Sequence, residues 1–429
     1  MTDPVRREPV REPVLAAGAQ RTLFPNGLVV CSEHVPGVRS VSIGVWVRSA
    51  SLHERRGQMG ISHLLEHLVF KGTARRTARD IALALEARGG SLDAYTSREH
   101  TAFQAHVLDR DLPVAVDLLH DLLFAPLLRH EDLQLERNVV LDEIALVDDT
   151  PDDLVFEHHN AVLWGEHPYG YTILGTRESV GALTVDEVRT RHGRTFRPDN
   201  MVLAVAGNVE HADVCRLLLE TGWGVEGDSG PLGPPEIVPP PRTAMPARSR
   251  IVRDSHQAHI VFGSSTIPMA DPTRPAFLAV STLLGGGMSS RLFQRVREEL
   301  GLAYSVYGFQ TLYSDVGVHG VYVGTGPETI VEACQAVDDE LQRLVDSGVD
   351  ENELVIGRQQ LIGQFTLSLE STGVRMQRLA SAELYGEPFR SVEEVVRRIE
   401  SVTTDDALAV ARAWFSQERQ TVVVLGPGE

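Results

Sequence analysis

The sequence predicts an α+β fold of two homologous domains, each a mainly antiparallel sheet packed with helices, joined by a proline-rich linker. Three observations carry this. The chain has 429 residues, too many for one ordinary core and suited to two of about 200 residues each. Near its middle, residues 224–249 contain GDSGPLGPPEIVPPPRTAMP, where proline withholds backbone donors and fixes an extended path. The same order of patterns then appears on both sides of that stretch. TAFQAHV, DLPVAVDLLHDLL and EDLQLERNVVLDEI match GVHGVYV, PETIVEACQAVDDEL and ENELVIGRQQLIGQF, roughly 220 residues later. Strand, helix, helix in both places reads as duplication of one α+β unit. The expected boundaries are a mobile arm over 1–20, a first domain over 21–223, the linker over 224–249 and a second domain over 250–429.

Taken in order, regular structure is expected from about Thr22, where Asn26-Gly27 gives a tight hairpin signal before LVVCSEHV. Val41 to Val47 alternates and reads as a strand. Gly60 to Phe70 places Ile61, Leu64, Leu65 and Leu68 at helical spacing. Ala78 to Arg88 is a second helix, closed by Gly89-Gly90. Ser91 to Val107 holds two extended pieces, and Leu112 to Phe124 and Glu131 to Val147 are helices.

Composition narrows the function. The net charge of -19 argues against a nucleic-acid binder, which needs a basic stripe, and favours cationic partners. The basic residues are almost all arginine; Lys71 is the only lysine, a skew that reads as genome composition rather than chemistry. Three scattered cysteines without a CxxC argue against a disulfide framework and fit a reducing compartment. The N-terminus, MTDPVRREPVREPV, lacks the apolar run of a signal peptide. No uninterrupted apolar stretch is long enough to span a membrane. A cytoplasmic protein with no membrane or nucleic-acid partner is expected.

The chemistry concentrates in His63-Leu-Leu-Glu66-His67. Two histidines four apart on a helix project from one face, so two neutral imidazoles can reach one tetrahedral zinc ion. Glu66 borders that face and can sit beside a bound water without ligating the metal. This is H-x-x-E-H, the inverted zincin pattern. His63, Glu66 and His67 interrupt the largely apolar ISHLLEHLVF and are costly to bury without a purpose. A catalytic zinc needs a third protein ligand and an open position. ERNVVLDEI offers Glu136 and Glu143, seven apart on one helix face, and spacing leaves either as the ligand.

HLLEHLVFKGT, then GGSLDAYTSREHTAF, then LERNVVLDEI resembles the pitrilysin/insulinase-type (M16) zinc metallopeptidases, especially the mitochondrial processing peptidase β-subunit and its bacterial relatives. The resemblance runs from Thr22 to Gly426. It implies Glu143 as the third ligand of a single zinc ion per chain, Glu136 as support for the histidine ligands, and Glu66 as the catalytic base. In the second half, GGGMSSRLFQRVREELGLAYSVYG supplies Arg297 and Tyr304. The resemblance assigns oxyanion stabilisation to Tyr304 and substrate positioning to Arg297. It makes Ser91 to Phe103 a substrate-pairing edge strand. There, Asp93-Ala94 stands where relatives usually have Asn-Ala, so Asp93 keeps an acceptor and loses the amide donor. Asp153 and Glu157 fall where processing-peptidase relatives hold a substrate arginine, implying a preference for basic residues near the cut. The second half lacks H-x-x-E-H and serves as scaffold and wall.

In this family four such domains enclose a chamber that admits peptides and unfolded segments. A two-domain chain is therefore expected to form a homodimer, or a heterodimer with an inactive homologous subunit. The alternative is a non-catalytic subunit. The complete metal-site residues and the short Gly285-Gly286-Gly287 run weigh against it.

Overall fold

The computed structural model describes residues 10–11, 18–224, 238–241 and 245–428. Most of the expected linker, 225–237 and 242–244, lies outside the described residues, as do 1–9 and 12–17 of the expected arm. The strands are β1 (Val10–Arg11), β2 (Ala19–Leu23), β3 (Val29–His34), β4 (Ser40–Val47), β5 (Ser91–Thr96), β6 (Thr101–Leu108), β7 (Met201–Gly207), β8 (Arg248–Val252), β9 (Ala258–Thr266), β10 (Ala303–Leu312), β11 (Gly317–Thr325) and β12 (Thr421–Gly426). In the first half the helices are α1 (Ile61–Val69), α2 (Ala78–Glu86), α3 (Leu112–Phe124), α4 (His130–Asp148), α5 (Pro151–Trp164), α6 (Arg177–Ala182), α7 (Val185–Thr195) and α8 (His211–Glu220). The second half has α9 (Arg274–Gly285), α10 (Ile330–Ser347), α11 (Glu351–Ser368), α12 (Thr372–Leu384), α13 (Val392–Glu400) and α14 (Thr404–Trp414).

The duplication read from three segments extends to five strands of each sheet. The first sheet has the order β1-β2-β3-β7-β4-β6-β5 and the second β10-β11-β9-β12-β8. Read from the other end, the second repeats the β3-β7-β4-β6-β5 part of the first as β8-β12-β9-β11-β10. In each, one pair is parallel, β3 with β7 and β8 with β12, and every other pair is antiparallel. The Asn26-Gly27 turn joins β2 and β3, with Gly27 at φ 88°. Within the expected arm, Val10 and Arg11 pair with Leu23 and Thr22 of β2.

Two compact units emerge, and they cross the cut at the linker. The first comprises described residues of Met1–Ile144, Tyr171–Val238 and Ser368–Ser391; the second, those of Ala145–Gly170, Pro239–Leu367 and Val392–Glu429. The cause is apolar coverage. In the first unit β4 is buried on both faces, as a strand between two layers must be. Val41, Ile43, Val45 and Val47 meet Leu64, Leu65 and Leu68 of α1 and Leu118, Leu119 and Leu122 of α3. The opposite face, with Cys31, Trp46, Ala102, Ala204 and Ala206, is covered by Met376, Leu379 and Ala380 of α12. Arg21 pairs with Glu383 at 2.7 Å, and Ser42 Oγ lies 2.9 Å from Thr372 Oγ1. In the second unit α5 takes the corresponding place, with Leu154 and Val155 against Val261, Tyr322, Val423 and Leu425. Each repeat thus supplies the helix that covers the other repeat's sheet.

His159 of α5 is buried against β9, where a Cβ on Gly263 would come within 2.4 Å of its ring. Burial pushes its pKa down to about 4. Histidine in the unfolded chain titrates near 6.5, so the unfolded state takes up protons first as the pH falls. The stability this group contributes is complete above about pH 6.5 and is lost toward pH 4, on the order of 3 kcal/mol. His159→Gln is expected to flatten the pH dependence of the urea midpoint between about pH 6.5 and 4. An unchanged slope would exclude His159 as its source.

Candidate metal centre

Helix α1 forms because Ile61, Leu64, Leu65 and Leu68 recur at helical spacing and all four are buried in the first unit's core. Its start is fixed by two devices. Gly60 has φ 89°, and a Cβ there would lie 2.4 Å from the Leu174 carbonyl oxygen. The first backbone donors are taken by the buried Glu54. Gly60 N–H donates to its Oε2 at 2.9 Å and Ser62 N–H to its Oε1 at 2.8 Å. Burial pushes the Glu54 carboxyl up, opposed by the Arg191 guanidinium and these N–H groups. A carboxylate here satisfies orphan donors and complements the positive end of the helix.

So anchored, α1 presents His63 and His67 one turn apart, with ring centroids 4.6 Å apart. Helix α4 buries Leu133, Glu136, Val140 and Ile144 along one face, which turns both glutamates toward α1. Glu143 Oε2 lies 3.7 Å from His63 Nε2, and Oε1 lies 3.8 Å from His67 Nε2. Ligand atoms of the three residues all fall within 4.8 Å of one another. A tetrahedral zinc about 2 Å from each ligand needs separations of about 3.3 Å, so small side-chain rotations close the set. Glu136 takes a different position. Its Oε2 accepts from His67 Nδ1 at 3.0 Å, leaving the Nε2 lone pair toward Glu143, and its Oε1 pairs with Lys71 Nζ at 2.6 Å.

Two further observations fit a cation. Glu143 Oε2 is a buried acceptor with no hydrogen-bond donor. Burial, with His67 close by, pushes the His63 pKa down to about 4, which keeps the imidazole neutral and able to ligate at neutral pH. Among the described residues no other trio of His, Cys, Asp or Glu converges in this way. Beside the trio, Glu66 is buried, and burial raises its pKa. The Thr96 hydroxyl, donating to Oε2 at 2.6 Å, and His67 oppose the shift, while Glu143 adds to it.

Thr96 ends β5, the outer strand of the first sheet, on which Asp93 is exposed and Ala94 half-buried. The second unit carries the remaining expected residues. Arg297 lies in a π-helical turn, Phe293–Glu299, a form seen mostly as single turns at functional sites. Its guanidinium stands 4.7 Å over the Phe293 ring and 5.1 Å over the Tyr304 ring. Tyr304, on β10, is 75% exposed. Asp153 and Glu157 lie on α5, Asp153 exposed in its first turn.

Sequence reasoning missed Glu54, Thr96 and Lys71. The alternation of β5 placed Thr96 on the same face as Leu92 and Ala94, which was an available signal. Lys71 lies four residues after His67, one further turn along. Glu54 gave none, because its loop reaches the helix start only in the folded chain. Gly60→Ala is expected to lower stability by at least about 2 kcal/mol, from a left-handed backbone and overlap with the Leu174 carbonyl; a urea midpoint equal to wild type would refute this.

Comparison with known proteins finds relatives along nearly the whole chain. The family model described as Insulinase (Peptidase family M16) matches residues 29–177, and that described as Peptidase M16 inactive domain matches 182–361. An "Uncharacterized zinc protease" of Mycobacterium leprae (strain TN) is 40% identical over 412 residues, covering 96% of this chain and 92% of that protein. The mitochondrial-processing peptidase subunit beta of Blastocladiella emersonii is 32% identical over 420 residues, covering 96% and 89%. The crystal structure of a protease from Helicobacter pylori superposes with a TM-score of 0.89 at 22% identity, covering 98% of this chain and 100% of that one. With both halves matched and such relatives aligned over nearly its whole length, the chain belongs to the insulinase-type peptidases of family M16.

Proposed function

We propose that this chain is a zinc-dependent endopeptidase that hydrolyses peptide bonds in extended peptides or unfolded segments. The carrying observation is the convergence of His63, His67 and Glu143 on one point, with Glu66 tied alongside by Thr96. Relatives named zinc proteases support zinc as the ion. Bound by those three residues, zinc supplies Lewis acidity toward a peptide carbonyl and the attacking water.

The chain's own groups do the rest. Glu66 removes the water's proton and returns it to the leaving amine. Its buried setting, which raises its pKa, suits a group that must both take and give a proton. Thr96 occupies one carboxylate oxygen and leaves proton transfer to the other. Glu136 holds His67. In line with the family resemblance, the Tyr304 hydroxyl donates to the oxyanion and Arg297 orients the substrate. The π-helical turn that stacks Arg297 against Tyr304 supports their acting as a pair.

β5 is an edge strand, so an extended peptide pairs with its main chain by β-augmentation, past Asp93 and Ala94. Asp153 and Glu157 favour a basic residue near the cut. The first domain, 21–223, carries the chemistry and the second, 250–429, completes the substrate site. Two copies, or one copy with an inactive homologous subunit, close the chamber. A relative named as one subunit of a processing peptidase supports pairing. The cytoplasm is the proposed compartment, on the three scattered cysteines. Among the described residues no helix is long and apolar enough to cross a membrane.

Wild type and Glu66→Gln are expected to bind about one zinc per chain, and only wild type to cleave a library of unfolded peptides of roughly 10 to 30 residues. Metal analysis and mass spectrometry of the products check both. Cleavage by Glu66→Gln at the wild-type rate would remove Glu66 as the base. Tyr304→Phe is expected to keep the zinc and lower kcat by about 10² to 10³. A loss confined to KM would assign Tyr304 to binding alone.

A further inference from the structure

We infer that Lys71, the single lysine of the chain, is a positioning residue of the metal centre, acting through Glu136 to fix the imidazole of His67. The inference rests on the reading of His63, His67 and Glu143 as a zinc site. Lys71 follows the end of α1, four residues after His67. Its Nζ lies 2.6 Å from Glu136 Oε1, while Glu136 Oε2 lies 3.0 Å from His67 Nδ1. One buried carboxylate is thus held from both sides by two residues of the same segment.

A carboxylate bound through one oxygen turns easily about its last torsion, which has a broad profile. Bound through both, it cannot turn without breaking an ion pair. Glu136 is 5% exposed, so it needs a cationic partner, and the Lys71 ammonium is the one paired with it. That side chain is 36% exposed and keeps part of its hydration. Ammonium is a point charge, and taking one oxygen leaves the other for His67. An arginine fork matches both oxygens at once and competes with the imidazole. This gives a physical reason for lysine at the one place where a chain otherwise built with arginine uses it. Without the cation the carboxylate is expected to leave Nδ1, and His67 then loses what fixes its tautomer and ring plane.

The test uses the full chain and zinc alone, in competition with a chromophoric chelator, on wild type, His67→Ala, Lys71→Met, Glu136→Gln and the Lys71→Met/Glu136→Gln pair. Lys71→Met is expected to weaken zinc about tenfold, the lower end for an outer partner of a ligand. The double variant is expected to be no weaker than Glu136→Gln alone. A spectroscopic readout is available because reductive methylation with 13C-formaldehyde marks only Lys71 and the N-terminal amine, and Lys71→Met assigns the two signals. The Lys71 signal is expected to move on zinc addition in wild type and to stay still in Glu136→Gln, which a purely structural ion pair would not produce. Lys71→Met within about twofold of wild type, losses that multiply in the double variant, or a Lys71 signal indifferent to zinc would each overturn the inference. Should Lys71→Met fail to fold, the labelled wild type and Glu136→Gln decide it. Wild type that binds no zinc, or His67→Ala that binds as tightly, overturns the zinc reading and this inference together. Zinc binding that needs His67 and ignores Lys71 overturns this inference alone.

Discussion

The candidate centre depends on the burial of α1. Ile61, Leu64, Leu65 and Leu68 each contribute roughly 1.5–3 kcal/mol by leaving water, and together they hold the helix in the first unit's core. That sum bears the cost of the polar groups the same segment brings inside, Glu54 and Glu66 among them. Without it there would be no fixed face from which His63 and His67 could approach Glu143. The Glu54 cap and Gly60 set where the helix begins, and so how the two imidazoles are rotated about its axis.

From α1 the dependence runs outward in layers. His67 is held by Glu136, and Glu136 by Lys71. Glu66 is held by Thr96, so the proposed base is tied to the strand proposed to receive substrate. Positions around a metal need this support because a ligand free to change rotamer or tautomer loses affinity. The same logic appears in the second unit, where a π-helical turn places Arg297 over the Phe293 and Tyr304 rings.

The duplication shows how one supersecondary design serves two purposes. Both sheets repeat the five-strand order with one parallel pair. Each is covered on one face by a helix from the other repeat, α12 on the first sheet and α5 on the second. The metal trio is present only in the first repeat among the described residues, because helix packing repeats with apolar spacing while ligands do not.

Much of this was legible in the sequence, for reasons that differ by residue. The helix carrying His63 and His67 could be read because its apolar positions follow a local period, and the strand β4 because its apolar residues alternate. The H-x-x-E-H spacing determined that two imidazoles share a face, since helix geometry is local. Spacing alone left Glu136 and Glu143 equivalent, because both sit on one face of α4. The tertiary structure separated them, turning Glu143 to the two Nε2 atoms and Glu136 to Nδ1. Only the tertiary structure showed the Glu54 cap, whose loop meets the helix start in the folded chain, and the Thr96 contact and the exchange of α5 and α12, which join segments distant in the chain. The sequence by itself determined which chemical groups are present and which helix faces they share. The tertiary structure decided which of them meet, because that depends on how separate apolar faces pack, and no local period records it.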